Sequence, residues 1–157
     1  MWNADFFIQL ITSLLGSAAF AVLFRIRLKH LPVAMLGGGI AYFAYYVILY
    51  CFSSVFAAAF IASAVSAIYA EACSKLRGAP TIIFVLPCAI PIVPGGVLYK
   101  TMFNLISQNM EMAKEYLLET LKISIGMAGG LAAVSLIFHF VNTVAIYAFG
   151  KNNRKNS

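Results

Sequence analysis

The stretch Pro87–Tyr99, PCAIPIVPGGVLY, places three prolines and two adjacent glycines inside an apolar segment of the chain. A proline within a helix lacks a backbone N–H and clashes with the carbonyl four residues before it. Gly95 and Gly96 can adopt backbone conformations that other residues avoid. The stretch therefore predicts a kinked or unwound segment, followed by a half-helix that begins near Val97.

The composition around this stretch is that of an integral membrane protein. Of the 157 residues, 62% are hydrophobic and only 10% are charged, and the mean hydropathy is +0.91. Soluble domains are nearer half apolar and a quarter charged, so this chain lacks the side chains to coat a soluble surface. Its basic residues lie between and after apolar runs and form no stripe with interleaved aromatic residues, so nucleic-acid binding is not expected.

Five apolar blocks predict the fold. They cover residues 6–24, 33–52, 55–70, 81–98 and 123–149. Each is near the roughly 20 residues that a helix needs to cross the hydrocarbon core, although the third is short. The predicted fold is an all-α polytopic membrane helix bundle, a single integral membrane domain over residues 1–157 with about five transmembrane helices, the fourth broken by the proline-glycine stretch.

The distribution of lysine and arginine predicts the orientation. If all five blocks cross and the N-terminus lies outside, eight basic residues lie inside: Arg25, Arg27, Lys29, Lys75, Arg77, Lys151, Arg154 and Lys155. Three then lie outside: Lys100, Lys114 and Lys122. If the fourth block instead enters and returns, the ratio is again 8 to 3, so charge counting does not separate the two topologies. Five crossings with a cytoplasmic C-terminus are favoured because the fourth block is long enough to cross.

The connector over residues 104–122 has a charged face and an apolar face. Glu111, Glu115 and Glu119 recur every four residues. The apolar face consists of Met110, Ala113, Leu117, Leu118 and Leu121. This pattern predicts an amphipathic helix in the membrane interface or capping the bundle. A solvated helical connector leading into the fifth block is an equally good interpretation.

Small residues recur at helical spacing in two blocks. The third block carries Ala58, Ala62, Ser66 and Ala70. The fifth carries Gly126 and Gly130, a GxxxG spacing extended by Ala133. Lipid gives helices no hydrophobic reason to associate, so close backbone approach through small side chains must supply the packing. We expect packing within this chain, with packing against another subunit as the alternative.

The second block has a triple glycine and a row of tyrosines. Gly37, Gly38 and Gly39 lack the Lys-Ser/Thr pair that follows in a phosphate loop, so nucleotide binding is not expected. The tyrosines that share a helix face are Tyr42, Tyr46 and Tyr50. They face a polar pathway or serve as aromatic anchors and interhelix hydrogen-bond donors.

The proline-glycine stretch is the candidate substrate site. Unpaired backbone groups cost several kcal/mol each in lipid, so a break persists only against protein or a wet cavity. Transporters use such breaks to bind solutes near mid-membrane, and helix N-termini attract anions, which predicts a carboxylate-bearing solute. A structural kink filled by neighbouring helices is the alternative. The candidate substrate-binding residues are Pro87, Pro91, Pro94, Gly95, Gly96 and Tyr99.

At these residues the sequence resembles a known family. Pro91, Pro94, Gly95 and Tyr99, within IPIVPGGVLY, are similar to the signature of the small membrane subunit of threonine/serine exporters. The specific motif covers about a dozen residues, and the pattern of five spans extends the resemblance over most of the chain. The resemblance implies efflux of threonine and serine, or of small dicarboxylates such as succinate. It also implies a larger partner subunit that carries a second, related membrane half.

One titratable side chain lies well inside a predicted span. His139 has Asn142 and Thr143 on the same helix face, and it is a candidate for proton coupling because its ordinary pKa is near neutrality. A neutral role in helix packing is the alternative. The sequence shows no metal-ligand cluster, nucleophile–base pair or phosphate cradle, so we expect no enzyme, no metal and no cofactor.

The sequence therefore favours a subunit of a secondary exporter in a bacterial inner membrane. Its substrate is expected to be a small amino acid or a small carboxylate, and it is expected to act in the lipid bilayer with a larger membrane partner. A non-transporting membrane scaffold or assembly subunit is the alternative, in which the small-residue faces would be the whole function.

Overall fold

A computed structural model describes the backbone of residues 4–153 and the side chains of residues 6–143. Over residues 4–153 the chain is helical and contains no strand. The helices are α1 Ala4–Leu23, α2 Leu31–Phe52, α3 Val55–Arg77, α4 Ile82–Ala89, α5 Gly95–Ile106 and α6 Met110–Asn153. Two short 3₁₀ turns, Leu28–His30 and Ile90–Ile92, precede α2 and follow α4.

The helix lengths confirm the predicted membrane bundle. Within the described residues, four helices are long and apolar enough to cross a membrane. A fifth span results if Ile82–Ile92 and Gly95–Ile106 are counted together, although the two parts are bent by 49° at the break between them. Length and bend are compatible with a broken span or a re-entrant segment, so the topological alternatives from the charge count both stand.

Two helix boundaries in the structure differ from those predicted from the sequence. The third block continues as helix to Arg77 rather than ending near residue 70, because the next residue able to end it is Gly78, in the left-handed conformation with φ 59°. Residues 104–122 are not a separate element. Residues 104–106 end α5, and residues 110–122 are the first part of α6. The residues between 110 and 123 are good helix formers with no glycine or proline, so nothing interrupts the helix there.

Continuous winding makes α6 longer than a bilayer is thick. The part of α6 whose side chains the structure describes, Met110–Thr143, has 34 residues and is apolar enough to cross a membrane. At 1.5 Å per residue this part is about 51 Å long, whereas the hydrocarbon core is about 30 Å. One end of α6 must therefore project beyond the core.

The triple glycine lets three helices approach α2. A Cβ atom at Gly37 would overlap the Cys88 sulfur in α4 and lie 2.7 Å from a ring carbon of Tyr69 in α3. A Cβ at Gly38 would overlap the Ser17 side chain of α1. These glycines are helix-packing residues. Side chains at these consecutive positions would collide with the neighbouring helices, which explains why the positions are glycine.

The two small-residue patterns pack within the chain, as expected. The stripe on α3, residues Ala58, Ala62, Ser66 and Ala70, is fully buried. On α6, a Cβ at Gly126 would lie 2.7 Å from the Phe56 carbonyl oxygen, and one at Gly130 would overlap the Phe60 carbonyl oxygen. The GxxxG motif of α6 therefore lies directly against the backbone of α3.

Candidate functional site

The helix break lies where the prolines predict it. Pro87 sits inside α4, Pro91 sits in the following 3₁₀ turn, and Pro94 precedes the first residue of α5. The backbone turns through two local hydrogen bonds: the Val93 N–H donates to the Ile90 carbonyl at 3.1 Å, and the Gly95 N–H donates to the Val93 carbonyl at 2.7 Å. The regular hydrogen-bond pattern is thus lost over a few residues and restarts in α5.

The expected role of the two glycines in the break is wrong. Within the described residues, the glycine with positive φ is Gly78, so Gly95 and Gly96 keep helical φ values. They are the first two residues of α5, which begins there rather than near Val97. The turn is made by the residues before them, where Pro94, at φ −76° and ψ 45°, ends the irregular segment. The ring already fixes φ, so no left-handed glycine is required.

The glycines instead leave the first turn of α5 bare. Gly95 and Gly96 are exposed, and a Cβ at either position would meet nothing within 4 Å. The first N–H groups of any helix lack intrahelical acceptors. Here the first regular bond is donated by the Leu98 N–H to the Pro94 carbonyl at 2.9 Å. The positive end of the α5 dipole is therefore reachable from outside the bundle.

The structure divides the predicted substrate residues between two environments. Pro87 is fully buried, and Pro91 and Pro94 are half-buried. Tyr99 is 69% exposed and stacks on Phe103 with ring centroids 6.3 Å apart. Tyr99 lies one turn after Gly95, so the two share the outer face of α5. The inner prolines position the break, and the outer residues are the ones that a solute could reach.

Helix α5 packs against α6 in an antiparallel hairpin. The Lys100 ammonium lies 5.4 Å from the ring centroid of Tyr116, and Val97 packs against the central cluster that contains Ile123. These contacts place the first turn of α5 near the level of residues 119–123 of α6. The loop between the helices covers only residues 107–109.

Polar side chains of α5 and α6 are buried at this level. Thr101 and Thr120 are 2% and 8% exposed. Their hydroxyls donate to carbonyls of their own helices, Val97 at 3.0 Å and Tyr116 at 2.8 Å. Glu119 is half-buried.

Glu119 was not singled out by the sequence pattern. The four-residue repeat assigned it to the charged face of a surface connector, whereas α6 is continuous and turns this residue toward the bundle. The signal that could have identified it is the following stretch, in which Thr120 and Ile123 belong to the buried side of the same helix. A half-buried carboxylate in a membrane bundle is a candidate functional group.

His139 and Asn142 lie far from the break. Both are exposed on α6. His139 borders a shallow depression formed by α6 residues alone, among them Ile137 and Phe140. The twenty residues that separate it from Glu119 correspond to about 30 Å along the helix. The Thr143 hydroxyl donates to the His139 carbonyl at 2.9 Å, which uses the backbone and not the ring.

A match to one known family covers the helix break and its surroundings. A family model described as Threonine/Serine exporter, ThrE, matches residues 9–137 and so runs from within α1 to within α6. The chain belongs to the threonine/serine exporter family. This is a family of transporters rather than enzymes, and its description indicates amino-acid export. The matched range contains the break and Glu119 and ends before His139. No curated protein and no solved structure matches the chain.

Proposed function

We propose that this chain is a membrane subunit of a secondary exporter of threonine and serine, or of small carboxylates, in a bacterial inner membrane. The observation that carries the proposal is the helix break before α5, with the bare first turn at Gly95 and Gly96. In the proposed orientation the N-terminus lies outside, as the distribution of basic residues favours, and the C-terminus is cytoplasmic because the fourth block is long enough to cross.

The first turn of α5 would bind the carboxylate of the solute. The Gly95 N–H already donates to the Val93 carbonyl, so the next N–H groups of the first turn would meet the carboxylate, and the helix dipole favours a negative charge there. Side chains at the first two positions would block a close approach to the backbone, and glycine leaves it open. Tyr99, one turn later on the same face, would bound the solute on that side.

Glu119 would attract the ammonium group of an amino-acid substrate. A zwitterion carries an ammonium group beside its carboxylate, and a carboxylate side chain at the level of the α5 N-terminus can attract it. Proton coupling through His139 and Asn142 remains a separate prediction from the sequence.

A larger partner with a related membrane half would complete the site. The first turn of α5 lies on the outside of this chain, because Gly95 and Gly96 are exposed. Unpaired backbone groups facing lipid would cost several kcal/mol, so another protein surface is expected to cover them. The exposed position of Gly95, Gly96 and Tyr99 supports this requirement.

The same exposed position is also the observation that favours the alternative. A non-transporting scaffold or assembly subunit would use the open face of α5 only to contact its partner. In that case a bulky residue at Gly95 could change assembly but would have no direct effect on a bound solute.

Efflux from cells loaded with threonine-containing dipeptides tests the proposal. Deleting the gene is expected to raise intracellular threonine, and Gly95→Leu is expected not to restore efflux. Gly16→Leu is the matched control, because a Cβ at Gly16 of α1 also meets nothing within 4 Å. Normal efflux with Gly95→Leu, at wild-type protein levels and with the partner still bound, would favour the scaffold.

A further inference from the structure

A second polar feature lies where the loops after α1 and α3 meet. They enclose a cavity of about 390 Å³. Its basic residues are Arg25, Arg27, Lys29, His30 and Arg77. The Arg77 guanidinium donates to the Lys29 carbonyl at 3.4 Å, which ties the two loops together.

The cavity has an unbalanced positive charge. Four permanently cationic side chains line it, and none of the residues that line it is acidic. Like charges gathered in one small volume repel each other, and an anion bound among them would relieve that repulsion. Arginine also presents a planar fork of donors that matches the oxygens of a phosphate group.

His30 gives independent evidence for a missing partner. Its side chain is only 4% exposed, and within residues 6–143 its Nδ1 is buried without a hydrogen-bond partner. The ring is held edge-on against Phe84 of α4, with centroids 5.5 Å apart. A buried polar nitrogen without a partner is costly, so a ligand oxygen in the cavity would supply what the chain does not.

The surroundings of the cavity resemble a lipid headgroup site. Leu28, in the turn before α2, and Leu76, in the last turn of α3, are 77% and 84% exposed, so apolar surface for acyl chains lies beside the basic side chains. Basic pockets between helices on the cytoplasmic side of membrane proteins commonly hold anionic lipid headgroups. Both topologies considered from the sequence place these two loops on that side.

We propose that this cavity binds a phosphate group, supplied by the headgroup of an anionic phospholipid. An amino-acid substrate is a poor fit, because its ammonium group would face four cations with no carboxylate to balance them. The site is therefore separate from the break at α5, and it does not depend on the proposed transport function. A bound headgroup would hold the two loops together at the membrane surface.

The full-length protein, purified in mild detergent, allows a direct test. Native mass spectrometry measures the phosphatidylglycerol retained by the wild type, by the double variant Arg25→Gln/Arg77→Gln and by the control Lys114→Gln/Lys122→Gln, which loses the same charge from α6. The cavity variant is expected to lose about tenfold in affinity for each arginine removed, and the control to stay within about twofold. His30→Phe, which keeps a ring against Phe84, is expected to weaken binding as well.

Thermal stability with added ligands identifies the source of the phosphate. Short-chain phosphatidylglycerol is expected to stabilise the wild type and the control but not the cavity variant. Stabilisation by inorganic phosphate without any preference for the lipid would overturn the lipid assignment. Equal lipid retention by the cavity variant and the wild type, equal losses in the cavity and control variants, or a response to threonine alone would overturn the site itself.

Discussion

Replacing Gly130 by alanine tests the contact between α3 and α6. A Cβ at this position would overlap the Ser63 hydroxyl and the Phe60 carbonyl oxygen and would lie 3.1 Å from the Ala64 nitrogen. Two of these three atoms belong to the backbone of α3 and cannot rotate away. Overpacking of this kind costs about 1–3 kcal/mol, and backbone obstacles place it toward the upper end.

Gly129 is the matched control for this substitution. A Cβ there would lie 3.3 Å and 3.4 Å from ring atoms of Phe60, which can shift by a few tenths of an ångström. Both variants gain the same helix propensity, about 1 kcal/mol for glycine to alanine, so this gain cancels in the comparison. Gly130→Ala is therefore expected to be less stable than Gly129→Ala by about 2–3 kcal/mol.

Reversible unfolding in mixed micelles measures this difference. Helix content is followed by circular dichroism as sodium dodecyl sulfate is added, and Gly130→Ala should unfold at the lower fraction of denaturing detergent. Coincident unfolding curves for the two variants would refute the packing, because they would mean that α6 does not approach α3 at this residue.

Three further substitutions test the side chains discussed above. Glu119→Gln is expected to reduce threonine efflux at least tenfold, a loss of about 1.4 kcal/mol, whereas Glu115→Gln, one turn earlier and exposed, should change it less than about twofold. His139→Gln tests proton coupling: removing the titrating ring should flatten the pH dependence of efflux, and an unchanged profile would dismiss that role. Tyr42→Phe removes the hydroxyl that donates to the Gln9 side-chain oxygen between α2 and α1, and it should lower stability by about 1 kcal/mol in the micelle assay without changing substrate preference.

Local features of the sequence predicted much of the fold. The apolar blocks identify the helices because composition alone determines whether a segment can cross a bilayer. The prolines locate the break because the ring removes a donor wherever it stands. The repeated small residues of α3 and α6 predict close packing because their spacing is fixed by the helix.

The bend itself depends on more than residue type. Sequence indicates that Gly95 and Gly96 are permissive, but Pro94 already restarts the helix, so their freedom of conformation is not used. The charged face of residues 110–122 suggested a separate surface helix. Amphipathic periodicity shows which face of a helix is polar and which is apolar, but it does not show at which residue the helix ends. The helix that begins at residue 110 would have ended near residue 122 only if a glycine, a proline or a turn had stood there.

The sites that combine distant residues could not be predicted. Arg25 and Arg77 were interpreted as orientation signals, and nothing in a single sequence indicates that their loops enclose one cavity with His30. The partial burial of Glu119 likewise depends on the packing of α6 against α3 and α5. Such juxtapositions depend on tertiary structure, which residue spacing does not encode.

Protection of a cysteine at position 96 tests the central claim most directly. Gly96→Cys is introduced with Cys51→Ala, which removes the exposed native thiol and leaves the two buried ones. In the complex with the partner subunit, threonine is expected to slow maleimide labelling of this cysteine, and threoninamide, which lacks the carboxylate, is expected not to. Equal labelling rates with and without threonine would contradict binding of the solute at the first turn of α5.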